Sequence, residues 1–201
     1  MSMKKIQTNI FICIIVFISG SANAGSYEDG IVAYSRRDYQ TASKLFRNGA
    51  DRGDSKAQYQ LSIMYDKGQG VTQDYKEALR LVELSAEKGN DSAQLSLGFI
   101  YDVGRGVTQS YEKAFAYYRR SADQNNHEAQ FYVGFSYAHG KGVGRDYVKA
   151  HMWYNISAAM GYKFAENARD EIELKYMTKT QIEKAQDMAR QCIEKNYKNC
   201  D

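Results

Sequence analysis

The sequence predicts an all-α repeat protein, on three observations. Proline is absent from all 201 residues, so nothing in the chain removes a helical N–H or forces a kink. Segments 55–90, 91–126 and 127–162 align without a gap at a period of 36, and periods of about 20–50 residues mark arrays of stacked supersecondary units. Each unit holds two stretches of helical periodicity separated by a Gly-x-Gly-Val turn.

Residues 1–24 are expected to be an export signal. Lys4 and Lys5 form a basic start, Ile10 to Ile18 form a nine-residue apolar run, and Ala22-Asn23-Ala24 offers a small-x-small cleavage site before Gly25. A nine-residue run is about half of what a membrane-spanning helix needs. Cys13 lies inside this run rather than at the cleavage point, which argues against a lipoprotein. The remaining 177 residues carry 25 basic and 24 acidic side chains. So balanced a charge does not point to nucleic acid. The mean hydropathy of −0.62 and the absence of any run of 18 apolar residues exclude a membrane bundle. With 17 Tyr and 8 Phe the chain is too aromatic for disorder.

Residues 27–53 read as an abbreviated first copy. Tyr34, Tyr39, Ala42, Leu45, Ala50 and Gly53 keep the register, but the Gly-x-Gly-Val turn is missing. The three full copies share ten identical positions of 36, beginning with Ala57-Gln58, Ala93-Gln94 and Ala129-Gln130 and ending with Ser85-Ala86, Ser121-Ala122 and Ser157-Ala158. In the middle copy Ala93, Leu97, Ile100 and Tyr101 mark one face of a first helix. Gly104 closes that helix, because glycine tolerates the left-handed conformation found there. Tyr111, Ala114, Phe115, Tyr118 and Ala122 mark the apolar side of a second helix. Past residue 162 the pattern stops, and 163–201 are expected to be capping helices. Thr178-x-x-Gln181 looks like a capping box opening the last one, with Ile182, Ala185, Ala189 and Cys192 on one side. Ten helices are expected in all.

Ala57-Gln58, Leu61, Tyr65, Gly68-x-Gly70-Val71, Asp74-Tyr75, Ala78 and Ala86-x-x-Gly89, repeated in both later copies, resemble the Sel1-like repeat, a relative of the tetratricopeptide repeat. The resemblance covers about residues 27–200. It implies an α-solenoid, a right-handed superhelix of helix-turn-helix units, and a non-catalytic scaffold or adaptor binding a protein or peptide. With the export signal it implies a periplasmic or secreted protein, in envelope regulation or host contact. No cofactor, metal, nucleic-acid partner or stable membrane insertion of the mature chain is expected.

In related solenoids the first helix of each unit lines the concave face. By register this places Lys56, Tyr59, Ile63, Asp66 and Lys67 there, then Ser92, Leu95, Phe99, Asp102 and Val103, then Glu128, Phe131, Phe135, Ala138 and His139. Two apolar rows result, Tyr59–Leu95–Phe131 and Ile63–Phe99–Phe135, with charged edges. Each row reads either as core between units or as a strip for an extended or helical peptide. The first row favours core; the second is balanced between the two.

Cys192 and Cys200 are expected to pair, since exported cysteines usually do and the cysteine-rich branch of Sel1-like proteins has pairs at this same spacing. Closing the loop is worth about 2.5 kcal/mol by chain entropy. Ser85-Ala86-Glu87-Lys88 matches the Ser-x-x-Lys of penicillin-interacting enzymes. Ser121 and Ser157 hold the same repeat position without the Lys, and no Ser-Asp-Asn or Lys-Thr-Gly partner occurs. A β-lactamase-like enzyme is therefore the alternative, kept because such activity has been attributed to some cysteine-rich Sel1-like proteins. His127, His139 and His151 fall at a helix start, the interhelix loop and a second helix, which is no metal-ligand spacing.

Overall fold

The computed structural model describes residues 24–198 and 200. The export signal expected over 1–24 lies outside them, apart from Ala24. The described residues form ten helices and no strand: α1 (Ala24–Ser35), α2 (Tyr39–Asp51), α3 (Ser55–Lys67), α4 (Tyr75–Glu87), α5 (Asp91–Val103), α6 (Tyr111–Ala122), α7 (His127–His139), α8 (Tyr147–Ala159), α9 (Lys163–Tyr176) and α10 (Lys179–Glu194). Neighbouring helices pack as antiparallel pairs, and the pairs stack in chain order. This is an α-solenoid. Among the described residues no helix is long and apolar enough to cross a membrane.

Short polar side chains start the helices. Asp54, Asp74, Asn90, Ser110, Asn126 and Asp146 each accept a backbone N–H from the first turn, satisfying donors that the helix leaves free. Thr178 and Gln181 form the expected capping box. Gly68, Gly104 and Gly140 cap α3, α5 and α7 in the left-handed conformation. Helix α7 therefore runs through residue 139, and His139 is its last residue rather than part of the loop.

Two hydrogen-bond ladders fasten the units. The buried Gln58, Gln94 and Gln130 amides donate to the carbonyls of Ala50, Ala86 and Ala122 at 3.3, 3.1 and 3.4 Å. Each satisfies a carbonyl at the C-terminus of the preceding helix. The Ser85, Ser121 and Ser157 hydroxyls donate to the carbonyls of Ser55, Asp91 and His127 at 2.7, 2.8 and 2.6 Å. These tie the end of each second helix to the start of its own first helix.

The apolar core is divided. One cluster joins α1 to α4 around Phe46, Leu61 and Met64. A second and larger one runs from Leu95 to Cys200 around Trp153, Tyr154 and Ile156. Between them lies a small cluster of Val82, Ala86, Ala93 and Leu97. Helices α9 and α10 both pack on α8. Cys192 and Cys200 are joined, with Cα atoms 4.9 Å apart, and both are buried in the large cluster.

Candidate partner-binding groove

Between α3 and α5 opens a cavity of about 750 Å³, floored by α4. Tyr59 and Ile63 form its α3 wall, Phe99 and Ile100 its α5 wall, and Leu79 and Val82 its floor. Charged groups stand at the mouth: Asp66, Lys67, Lys76 and Arg105. Apolar walls with a few polar groups at the rim suit a side chain that enters from solvent. The Tyr59 hydroxyl and Ser96 Oγ lie 3.0 Å apart across the space between α3 and α5.

The rim is ordered by ion pairs between units. Arg105 lies 2.7 Å from Asp66, and Lys141 lies 3.8 Å from Asp102. Each pair joins the end of one unit's first helix to the Gly-x-Gly turn of the next. Pairs this exposed add little stability, but they fix where the charges point. Arg105 also lies over the Tyr75 ring at 4.9 Å.

Of the side chains read from the sequence, the cavity gathers Tyr59, Ile63, Asp66, Lys67, Phe99 and Val103. The rest lie elsewhere. Leu95 is only 8% exposed and belongs to the core, so it supports the surface from beneath. Phe131 and Phe135 belong to a second aromatic group. Phe131 meets Tyr154 and Tyr162 at ring separations of 5.5 and 5.4 Å, and Phe135 stacks on His139 at 4.0 Å. Lys56 lies over Tyr27, Asp102 belongs to the rim pair with Lys141, and Glu128 is half-buried at the start of α7. The two rows are thus neither wholly core nor one continuous strip. Phe99 shows why: half-buried, it leans edge-on against Tyr118 at 5.5 Å and Tyr132 at 4.5 Å while still facing the cavity.

The cavity floor was not anticipated from the sequence, since the first helices alone were assigned to the surface. A signal was available in the repeat alignment, where Val82 stands at the position of Tyr118 and Tyr154.

The chemistry candidates resolve individually. Ser85 has no exposed surface, and its hydroxyl donates to a backbone carbonyl. Lys88 Nζ donates to the Gly53 carbonyl at 2.5 Å. Both ends of the Ser-x-x-Lys motif thus serve packing between helices. His151 is buried, with Glu173 Oε2 at 3.2 Å from Nε2 and the Asn155 amide at 3.0 Å from Nδ1. Burial lowers its pKa, and the Glu173 carboxylate partly offsets this.

The Sel1 repeat family model matches residues 20–54, 55–90, 91–126 and 127–162. A Sel1 repeat protein from Oxalobacter formigenes is 37% identical, with a TM-score of 0.61 over 63% of this chain and 95% of its own. The protein c5321, a protective antigen of uropathogenic Escherichia coli strains with an SLR fold, is 32% identical with a TM-score of 0.72 over 87% of this chain. This chain spans only 38% of that antigen's length. Cysteine rich protein B of Helicobacter pylori, 19% identical with a TM-score of 0.50 over 63% of this chain and 96% of its own, shares the fold alone. No curated protein matches the chain significantly. With four successive repeats matched end to end and the same helical pairs in its solved neighbours, this chain belongs to the Sel1 repeat family.

Proposed function

We propose that this chain is an exported, non-catalytic scaffold that holds a polypeptide partner along the first helices of its units, in the periplasm or beyond. Sel1 repeat proteins are generally protein-interaction scaffolds. The observation that carries the reading is the cavity between α3 and α5, apolar inside and charged at the mouth. The small-x-small site at Ala22 to Ala24 supports export. The identity shared with a protective antigen supports a chain met outside the cytoplasm. The penicillin-interacting alternative loses its serine, because Ser85 is enclosed and already donates to Ser55.

The test is affinity capture with the full chain expressed in a Gram-negative host and recovered in processed form. Specific protein capture from envelope extracts, saturable and competed by untagged chain, supports the scaffold. Capture no better than an unrelated helical control would refute it. Intact mass should place the N-terminus at Gly25, and the nitrocefin hydrolysis rate should equal the blank.

A further inference from the structure

In most units of this solenoid an aromatic ring fills the space between the two helices of the pair. The Tyr118 ring lies where a side chain on Gly98 would have to be, and the Tyr154 ring crowds Gly134 in the same way. Phe46 does the same against Gly30. The first full repeat breaks the rule on both helices at once. Ser62 stands where the later units have Gly98 and Gly134, and Val82 stands where they have Tyr118 and Tyr154. Glycine and ring come together, and here both are missing.

A second departure occurs a few ångströms away along the same cleft. Gly70 is seated against the Tyr39 carbonyl of the preceding unit, and Gly142 against the Tyr111 carbonyl; a Cβ on either glycine would collide. Gly106 should meet Tyr75 in the same way, yet nothing lies within 4 Å of where its Cβ would be. Tyr75 is correspondingly 54% exposed. The third unit stands away from the second at this edge, and the cavity opens through the gap, with Tyr75 and Gly106 at its mouth.

We infer that the cleft between α3 and α5 is a socket for one aromatic side chain of a partner polypeptide, with an acidic residue beside that aromatic met by Lys67 and Lys76. This rests on the scaffold reading and gives it a recognition chemistry. The occupant follows from the molecule's own practice. At the same position in two later units the chain supplies a tyrosine ring, and the walls here, Tyr59, Ile63 and Phe99, are the kind of surface that such a ring packs against. The volume of about 750 Å³ also leaves room for the main chain on either side of the ring. The mouth carries Lys67, Lys76 and Arg105 against the single acid Asp66. Asp66 is engaged by Arg105, so the remaining positive charge faces whatever enters. A carboxylate next to the ring complements it.

The experiment refills the socket in the way the other units are filled. Ser62→Gly with Val82→Tyr, in the full chain, should fold with a raised melting temperature. A phage-displayed library of short random peptides is selected on the parent protein. Enriched peptides should carry an aromatic residue next to Asp or Glu, and their synthetic forms should bind the refilled variant at least about tenfold more weakly. Lys67→Glu with Lys76→Glu alters only exposed side chains and guards against misfolding of the refilled variant. It should weaken the same peptides by a similar factor and spare versions with the acids amidated. Peptides lacking an aromatic, or binding parent and refilled variant equally, would overturn the socket while leaving the scaffold intact. A parent that dimerises where the refilled variant stays monomeric would give the cleft to a second copy and equally overturn it. Failure of any peptide to enrich, together with failure of envelope capture, would remove the scaffold reading as well.

Discussion

The hydroxyl of Ser85 donates to the main-chain oxygen of Ser55 across 2.7 Å, although thirty residues separate them. The same bond recurs from Ser121 and from Ser157. The serine is invariant among the three units for a reason of carbonyl satisfaction. Ser85→Ala leaves the Ser55 carbonyl without this donor in a closed space. It should lower unfolding free energy by about 1–2 kcal/mol. Urea titration of parent and variant measures this, and the variant's affinity for any captured partner should be unchanged.

Gly70 and Gly106 hold the same repeat position and nearly the same φ, +68° and +73°, so they allow a matched comparison. Alanine at either must take a left-handed conformation, at a cost of about 1–2 kcal/mol. At Gly70 the new methyl also meets the Tyr39 carbonyl, and forced overpacking adds about 1–3 kcal/mol. Gly70→Ala should therefore destabilise clearly more than Gly106→Ala. Equal losses in thermal or urea melts would mean that the gap between the second and third units closes in solution.

His151 predicts a pH dependence. Its Nδ1 accepts from the Asn155 amide, whose oxygen in turn accepts from Arg169, so the ring proton sits on Nε2 facing Glu173. Burial penalises the imidazolium most; Arg169 disfavours it further, while Glu173 and Asp170 favour it. The folded pKa thus lies below the ordinary 6.5. Between the two values the unfolded chain binds more protons, so stability rises with pH there. The contribution of His151 is complete above about pH 6.5 and is lost as pH falls below it. Its ring resonances should titrate with a midpoint below that of a free histidine. Glu173→Gln, which removes a favouring carboxylate, should push the midpoint lower still.

The link between Cys192 and Cys200 holds the end of α10 in the large core cluster. Under oxidising conditions Cys192→Ser should cost roughly 2–3 kcal/mol, because the denatured chain regains the freedom of the loop. Peptide mapping without reductant should recover residues 192 and 200 in one linked fragment. Two alkylated thiols in native protein would remove the link from the account.

The helices and turns were legible because their causes are local and recur. Gly104 ends α5 for a conformational reason visible in one residue, and Thr178 with Gln181 announces α10 within four positions. What lay beyond the sequence were contacts across the turn between successive units. The identity of Gln58, Gln94 and Gln130 was plain, but their bonds to the preceding helix connect residues that no helical periodicity pairs. The same limit applied to the groove. Assigning the surface to first helices names Tyr59, Ile63 and Phe99, which line the cavity, yet treats Leu95 as their equal and leaves out Leu79 and Val82. Whether a row of apolar side chains is core or surface depends on what the opposite helix supplies. Phe99 meets Tyr118, whereas Ile63 faces the space left above Val82.

Among the described residues, the small cluster of Val82, Ala86, Ala93 and Leu97 is the buried apolar patch that lies between the two larger cores. In a linear array each unit is steadied only by its neighbours, so a thin junction sets where cooperativity breaks. Opening should begin at the seam between α4 and α5, and amide exchange should divide the chain there into two blocks with different protection. The seam is also where the cleft lies. A ligand seated in it would bridge the blocks, and its binding would be felt as slower exchange throughout α1 to α4, far beyond the residues it touches.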